Sequence, residues 1–285
     1  MTVYLFQALN GVGLGMIYFL IAAGLSIVFG LLHFVNFAHG AFYMLGAYFC
    51  LQALRMGLDF WTALWLVPLV VGGLALLLER VLVRRTYRMA HMYQILITLG
   101  LGLVIQEICI IVWGTEALNV SPPESLSSVV FFGDFGYPSY RLFVISLATM
   151  LTFVLWLALE KTRLGALLRA GSQSVEMVAL LGVNVSVLFA FAFAFSAGLA
   201  AVGGVLAAPL RGAEPFMAQE ALSIAFVAVV IGGMGRYSGA LVASILIGLT
   251  QSLMSSLWPM GANLMIFAAA AAILVFRPNG LMGRV

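Results

Sequence analysis

The ionisable and nucleophilic side chains of this chain are few, and none is spaced for catalysis. Ten acids, thirteen cations, three histidines and two cysteines are spread over 285 residues. His33, His39 and His91 lack metal-ligand spacing, and no His-Glu-x-x-His occurs. No Gly-x-Ser-x-Gly elbow presents a nucleophile. Lys161-Thr162 is the one Lys-Thr pair, and no glycine-rich loop precedes it. ATP hydrolysis by a phosphate-binding loop is therefore excluded. Any uphill work must draw on a partner or an ion gradient. Cys50 and Cys109 lie in apolar runs and read as small buried hydrophobes. We expect no enzyme, no metal site and no cofactor in this chain.

Two polar interruptions and one acid remain. Glu107 sits inside an apolar run, about 9 Å from its outer end at 1.5 Å per residue. One such acid suits helix packing or a rim better than proton coupling, which usually shows several buried ionisable partners. The interruptions are Asn36 to Gly40 and Gly232 to Gly239. Non-helical backbone at membrane depth persists only where it lines a cavity or is buried in protein. Both segments are thus either ordinary turns or pieces of a translocation path. Asn36, His39, Gly40, Gly232, Gly233 and Gly235 are the candidate path residues.

The elements that must position them are membrane spans. The chain is 64% apolar and 8% charged, with mean hydropathy +1.15. A soluble domain runs near ~45–50% apolar and ~25% charged. A bilayer core about 30 Å thick takes about 20 helical residues, so the apolar runs supply about eight or nine spans. The expected fold is an all-α polytopic bundle, a single transmembrane domain over 1–285, with broken or half-helices. The second run (about 41–54) and the seventh (about 222–231) are the short ones. Gly11 and Gly15 form a small-xxx-small face for close helix contact.

The cations set an orientation. With Arg80, Arg84, Arg85 and Arg88 in the cytoplasm, Lys161, Arg163, Arg169, Arg236, Arg277 and Arg284 fall inside too. Arg55, Arg141 and Arg211 fall outside, as does the net acidic loop 114–140. The N-terminus is then outside and the C-terminus cytoplasmic. The polar stretch 161–186 is a cytoplasmic loop. In a membrane protein this basic balance reports orientation, not nucleic acid.

At this point the chain resembles a known family. Asn36-Phe37-Ala38-His39-Gly40, followed by Tyr43-Met44-Leu45-Gly46-Ala47-Tyr48, closely resembles the first conserved stretch of LivH-type permeases. These are membrane subunits of branched-chain amino-acid ABC importers. Leu96-Ile97-Thr98-Leu99-Gly100-Leu101, Glu176 to Val183, Phe195-Ser196-Ala197-Gly198, Gly232-Gly233-Met234-Gly235 and Arg277-Pro278-Asn279-Gly280-Leu281 match in order. One departure is Gly165-Ala166-Leu167-Leu168-Arg169-Ala170, where the family usually carries one more basic residue. The resemblance implies translocation of branched-chain or related amino acids across a bacterial inner membrane. It also implies a second related permease, two ATP-binding subunits and a periplasmic or lipid-anchored solute-binding protein. ATP would bind on the partner subunits. Permeases for urea, amides or other amino acids share the superfamily. A stand-alone secondary transporter is the remaining alternative, marked by buried acid–base pairs, which are scarce here.

The loop between the fifth and sixth runs meets the demands of a coupling element: cytoplasmic, ordered and bounded by spans. Val175, Val178, Ala179 and Gly182 recur at helical spacings and predict a small apolar face. Arg169 and Glu176 are expected as rim pairs, Ala179 as an ATPase contact, and Gly182 as a left-handed helix cap.

Overall fold

The computed structural model describes residues 2–32, 34–87, 89–133, 135–233, 235–277 and 280–282. His33, Arg88, Asp134, Met234, Pro278, Asn279 and Arg284 lie outside the described residues. Eleven α-helices follow in order: α1 Thr2–Leu32, α2 His39–Arg55, α3 Phe60–Val81, α4 His91–Trp113, α5 Ser139–Lys161, α6 Arg163–Gln173, α7 Val175–Leu180, α8 Val185–Arg211, α9 Met217–Gly232, α10 Tyr237–Leu257 and α11 Ala262–Phe276. The protein is an all-α membrane bundle. Among the described residues seven segments are long and apolar enough to cross a bilayer, those of α1, α3, α4, α5, α8, α10 and α11. The two short runs become α2, with 17 residues, and α9, with 16. At 1.5 Å per residue each spans roughly 25 Å, short of the bilayer core.

The outer loop 114–140 carries a small antiparallel hairpin, β1 Val129–Phe132 with β2 Phe135–Pro138. Leu118 and Ala213 exchange both backbone hydrogen bonds and tie this loop to the α8–α9 turn. The helix ends therefore sort into a hairpin end and an α6–α7 end.

Helix α1 is the axis of the bundle. Its apolar window is 83% buried, against 22–28% for α3, α4, α5 and α11. In lipid no hydrophobic force draws helices together, so small residues that let backbones approach take over. Gly11 and Gly15 do this against α10. A Cβ on Gly11 would stand 2.7 Å from Leu249 Cα, and one on Gly15 2.8 Å from Ile245 Cα. The small-xxx-small expectation thus finds its partner.

Two acids change the expected charge inventory. Glu79, at the end of α3, is fully buried and accepts the Tyr87 hydroxyl at 2.8 Å. Glu107 lies on the exposed face of α4.

Candidate functional site

Two cavities open in the bundle, one toward each end. The outer one, about 280 Å³, is walled by α1, α5, α8, α9 and α10 at the hairpin end. Its polar lining is Tyr18, Tyr43, Arg141, Arg211, Glu220 and Gln251. The inner one, about 650 Å³, lies at the α6–α7 end and is lined by Glu160, Arg169, Gly233, Gly235, Arg236 and Tyr237 among others. Along α1 the outer cavity reaches Tyr18 and the inner one begins at Ser26. Residues 19–25 between them are buried and line neither. That closed layer is about 10 Å thick along the helix axis.

Asn36, His39 and Gly40 sit in this layer. The His39 Nε2–H donates to the Ile21 carbonyl at 2.8 Å, and the Ser196 hydroxyl lies 3.4 Å from Nδ1. A carbonyl only accepts, so Nε2 carries the proton and Nδ1 is left to accept. Ile21 is about eleven residues before the end of α1, roughly 16 Å along its axis. The chain therefore climbs back to mid-bundle before α2 begins. The Asn36 side chain accepts from Ala38 N at 3.1 Å, and its carbonyl accepts from His39 N at 3.2 Å. The first turn of α2 is thus hydrogen-bonded without water. The Phe37 N–H donates to Thr98 Oγ1 of α4 at 3.2 Å. Gly40 presses on the start of α9, where a Cβ would overlap the Ala218 carbonyl. The interruption is buried in protein about midway along the bundle. These three residues line neither cavity and close the space between them.

The second interruption is built differently. Gly232 and Gly239 meet backbone to backbone, with no room for a Cβ on either. Gly233, with φ +100°, and Gly235, with φ +77°, turn the chain from α9 to α10 and line the inner cavity. Gly235 lies beside Gly30, two residues from the end of α1. This is a turn at the bundle end. The Leu281 N–H closes it by donating to the Ile231 carbonyl at 2.7 Å.

The expected coupling loop is two helices. Thr162 caps α6 and Ser174 caps α7, each accepting a backbone N–H at 3.2 Å. Helix α7 ends in a Schellman motif: Gly182 N to Ala179 O at 3.0 Å and Val183 N to Val178 O at 3.4 Å. Gly182 has φ +80°, the left-handed geometry expected of it. The expected apolar face does not hold together. Val178 is 1% exposed and packs into the bundle, while Ala179, Glu176 and Gly182 face out. In a six-residue helix one anchoring side chain turns the rest away. The outward apolar side chains are Met177, Leu180 and Leu181. Arg169 is not a free rim residue. It donates to the Leu159 carbonyl and lies 3.6 Å from Glu160, so it fastens α6 to the end of α5.

The polar lining of the outer cavity was not singled out from sequence. Arg211 was placed in an outer turn, yet it is the last residue of α8 and pairs with Glu220 of α9. Gln219 beside it donates to Gln106 of α4. Tyr18 donates to Gln251 at 2.6 Å. The expectation that acid–base pairs are scarce therefore misses this one. The available signal was Arg211, Glu214 and Glu220 flanking one break, with Tyr18 and Tyr43 in the apolar runs before it. Tyr137 closes the rim by donating to Asn10 at 2.9 Å. Burial pushes its phenol up from the ordinary range and keeps it a neutral donor.

Over residues 7–276 the chain matches the family described as Branched-chain amino acid transport system / permease component. It belongs to this family. It is 30% identical to the high-affinity branched-chain amino acid transport system permease protein LivH of Salmonella typhimurium, over 99% of this chain and 96% of that one. Identity to BraD of Pseudomonas aeruginosa, described in the same terms, is 29% over 99% and 96%. LivM of Escherichia coli is 28% identical, covering 94% of this chain and 68% of its own. Among solved structures, PsaBC from Streptococcus pneumoniae in complex with Fab shares the fold. Its TM-score is 0.52 at 11% identity, over 94% of this chain and 89% of that one.

Proposed function

We propose that this family member is the translocation subunit of an ATP-driven importer for branched-chain amino acids. The observation that carries the reading is the pair of cavities, one at each bundle end, with a closed layer between them. A permease needs such a layout: access from either side and a barrier that opens to one side at a time. LivH and LivM are both named as permease proteins of branched-chain amino acid transport and both resemble this chain. Their resemblance supports a second, related permease as partner. A solute-binding protein at the hairpin end and ATP-binding subunits at the α6–α7 end complete the assembly in this reading.

The orientation we propose is N-terminus outside and C-terminus cytoplasmic, in a bacterial inner membrane. Arg80, Arg84, Arg85, Lys161, Arg163, Arg169, Arg236 and Arg277 gather toward the α6–α7 end, and Arg55, Arg141 and Arg211 toward the other. A cytoplasmic excess of cations follows the insertion rule. The outward Met177, Leu180 and Leu181, with Ala179, then offer α7 as the contact for an ATPase groove.

The test is uptake by the assembled importer in proteoliposomes. ATP-dependent accumulation of leucine, isoleucine or valine is the expected result. Accumulation driven by a proton gradient without ATP would overturn the reading. Ala179→Arg should bury an unpaired charge in the α7 contact. Expected is loss of ATPase co-purification and of uptake, with the chain still in the membrane. Undiminished co-purification would remove α7 from the contact.

A further inference from the structure

The outer cavity carries more charge than a helix junction requires. Arg211 closes α8 and Glu220 lies in the first turn of α9. A short turn joins them, held by Gly212 at φ +81° and by the Leu118–Ala213 hydrogen bonds. The guanidinium reaches the Glu220 carboxylate and lies 3.5 Å from Glu214. Both partners of the pair keep about 30% of their side-chain surface open, at 28% and 30%. Tyr18 and Tyr43, 3% and 1% exposed, form the deep wall beside them. Arg141 is occupied by Asn10 at the rim. Arg141, Arg211 and Glu220 therefore line the space, which carries both signs, and Glu214 stands beside Arg211 outside the lining. Leu14, Ile17, Val144, Ala207 and Leu210 supply an apolar stretch of the wall.

Such a cavity discriminates by charge pattern. An anion meets Glu220 and a cation meets Arg211, so each is opposed by one half of the pair. A zwitterion replaces each half of the pair with its own opposite charge. Both partners are already fixed and partly desolvated, so part of the usual cost of binding is met before the solute arrives. The volume is just under the range of drug-sized pockets, as a small solute needs.

We propose that the Arg211–Glu220 pair recognises the backbone of an amino-acid solute on its way through this chain. Arg211 takes the α-carboxylate, with the Tyr43 hydroxyl beside it. Glu220 takes the α-ammonium. The aliphatic side chain lies on Leu14, Ile17, Val144 and Leu210. This rests on the importer reading above and names the residues that read its substrate class. The site also adjoins the barrier, because Ala218, whose carbonyl abuts Gly40, lies in the same first turn of α9 as Glu220.

The double variant R211Q/E220Q tests it in the complete reconstituted importer. Each single variant leaves an unpaired charge and endangers folding, whereas removing both charges together is often neutral for stability. A mere helix tie would tolerate the double change, because glutamines still hydrogen-bond. The recognition site would not. Leucine uptake should fall about a hundredfold, roughly tenfold for each charge-assisted hydrogen bond removed. Uptake within about twofold of the parent importer would overturn the proposal. If the parent importer moves no branched-chain amino acid, the importer reading fails instead.

A second measurement needs no variant. Labelled leucine bound to the detergent-purified chain should be displaced by unlabelled leucine. Leucinamide, lacking the carboxylate, and 4-methylpentanoate, lacking the ammonium, should displace it at least about tenfold less well. Equal displacement by either analogue, or no saturable leucine binding, would sink the site.

Discussion

The two interruptions look alike as strings of residues, and the fold uses them in opposite ways. Asn36 to Gly40 is drawn to about the middle of the bundle, where α1, α4, α8 and α9 enclose it. Gly232 to Gly239 stays beside the last residues of α1 and makes an end turn. The first contains side chains that satisfy backbone groups, an asparagine and a histidine. The second contains glycines that bend and approach closely. Depth costs hydrogen-bonding capacity, because an unpaired backbone group in hydrocarbon costs several kcal/mol. A break that carries its own donors and acceptors goes deep. The second break, whose Arg236 and Tyr237 bond to the Met282 carbonyl and to Glu160, stays at the bundle end.

The sharpest way to break this contrast is Gly40→Ala. The added carbon overlaps the Ala218 carbonyl, and backbone cannot step aside as a side-chain tip does. Overpacking of this kind costs typically about 1–3 kcal/mol, and more when backbone must move. We expect loss of monodisperse protein on size-exclusion chromatography. A well-behaved Gly40→Ala would mean that α2 and α9 do not touch there.

His39→Leu should do less. It keeps bulk and removes the hydrogen bond to Ile21 and the contact with Ser196. A buried partner left unpaired costs about 1–3 kcal/mol. Protein yield should hold while Tm falls by about 2–10 °C. An unchanged Tm would show that the imidazole is not part of the barrier.

Gly235→Ala should do least. Its φ of +77° disfavours a side chain, but the nearest neighbour of a new Cβ is Gly30 Cα at 3.5 Å, an ordinary contact. The cost is the left-handed conformation alone, about 1–2 kcal/mol. Leucine uptake should stay within about twofold of the parent, a loss no larger than such a cost allows in a folded protein. Abolished uptake would promote the second turn from an end turn to a moving part.

Local features were legible where one segment decides them. The apolar runs marked the spans, and the short second and seventh runs, flanked by the two breaks, became α2 and α9. Gly11, Gly15 and Gly182 occupy the roles that small residues and left-handed caps impose. Features set by another segment were not legible. Nothing within Asn36 to Gly40 says that Ile21 and Ala218 will receive it. Arg211 falls just past the end of the sixth apolar run, although a partner nine positions on holds it at a cavity wall. Val175, Val178, Ala179 and Gly182 share a periodicity, but the first packing contact of α7 splits them. The β1–β2 pairing has too few residues for alternation to be read.

The glycine seam between α1 and α10 also bears on the order in which the molecule is made. Gly11 and Gly248 meet although they stand 237 positions apart, by subtraction of their numbers. Chains grow at about 5–20 residues per second, so Gly11 waits on the order of ten to fifty seconds for its partner. During that interval the most enclosed helix of the finished bundle stands in the bilayer with its packing groove empty. Within this bundle the central helix thus inserts ahead of α10 and is among the last to be locked.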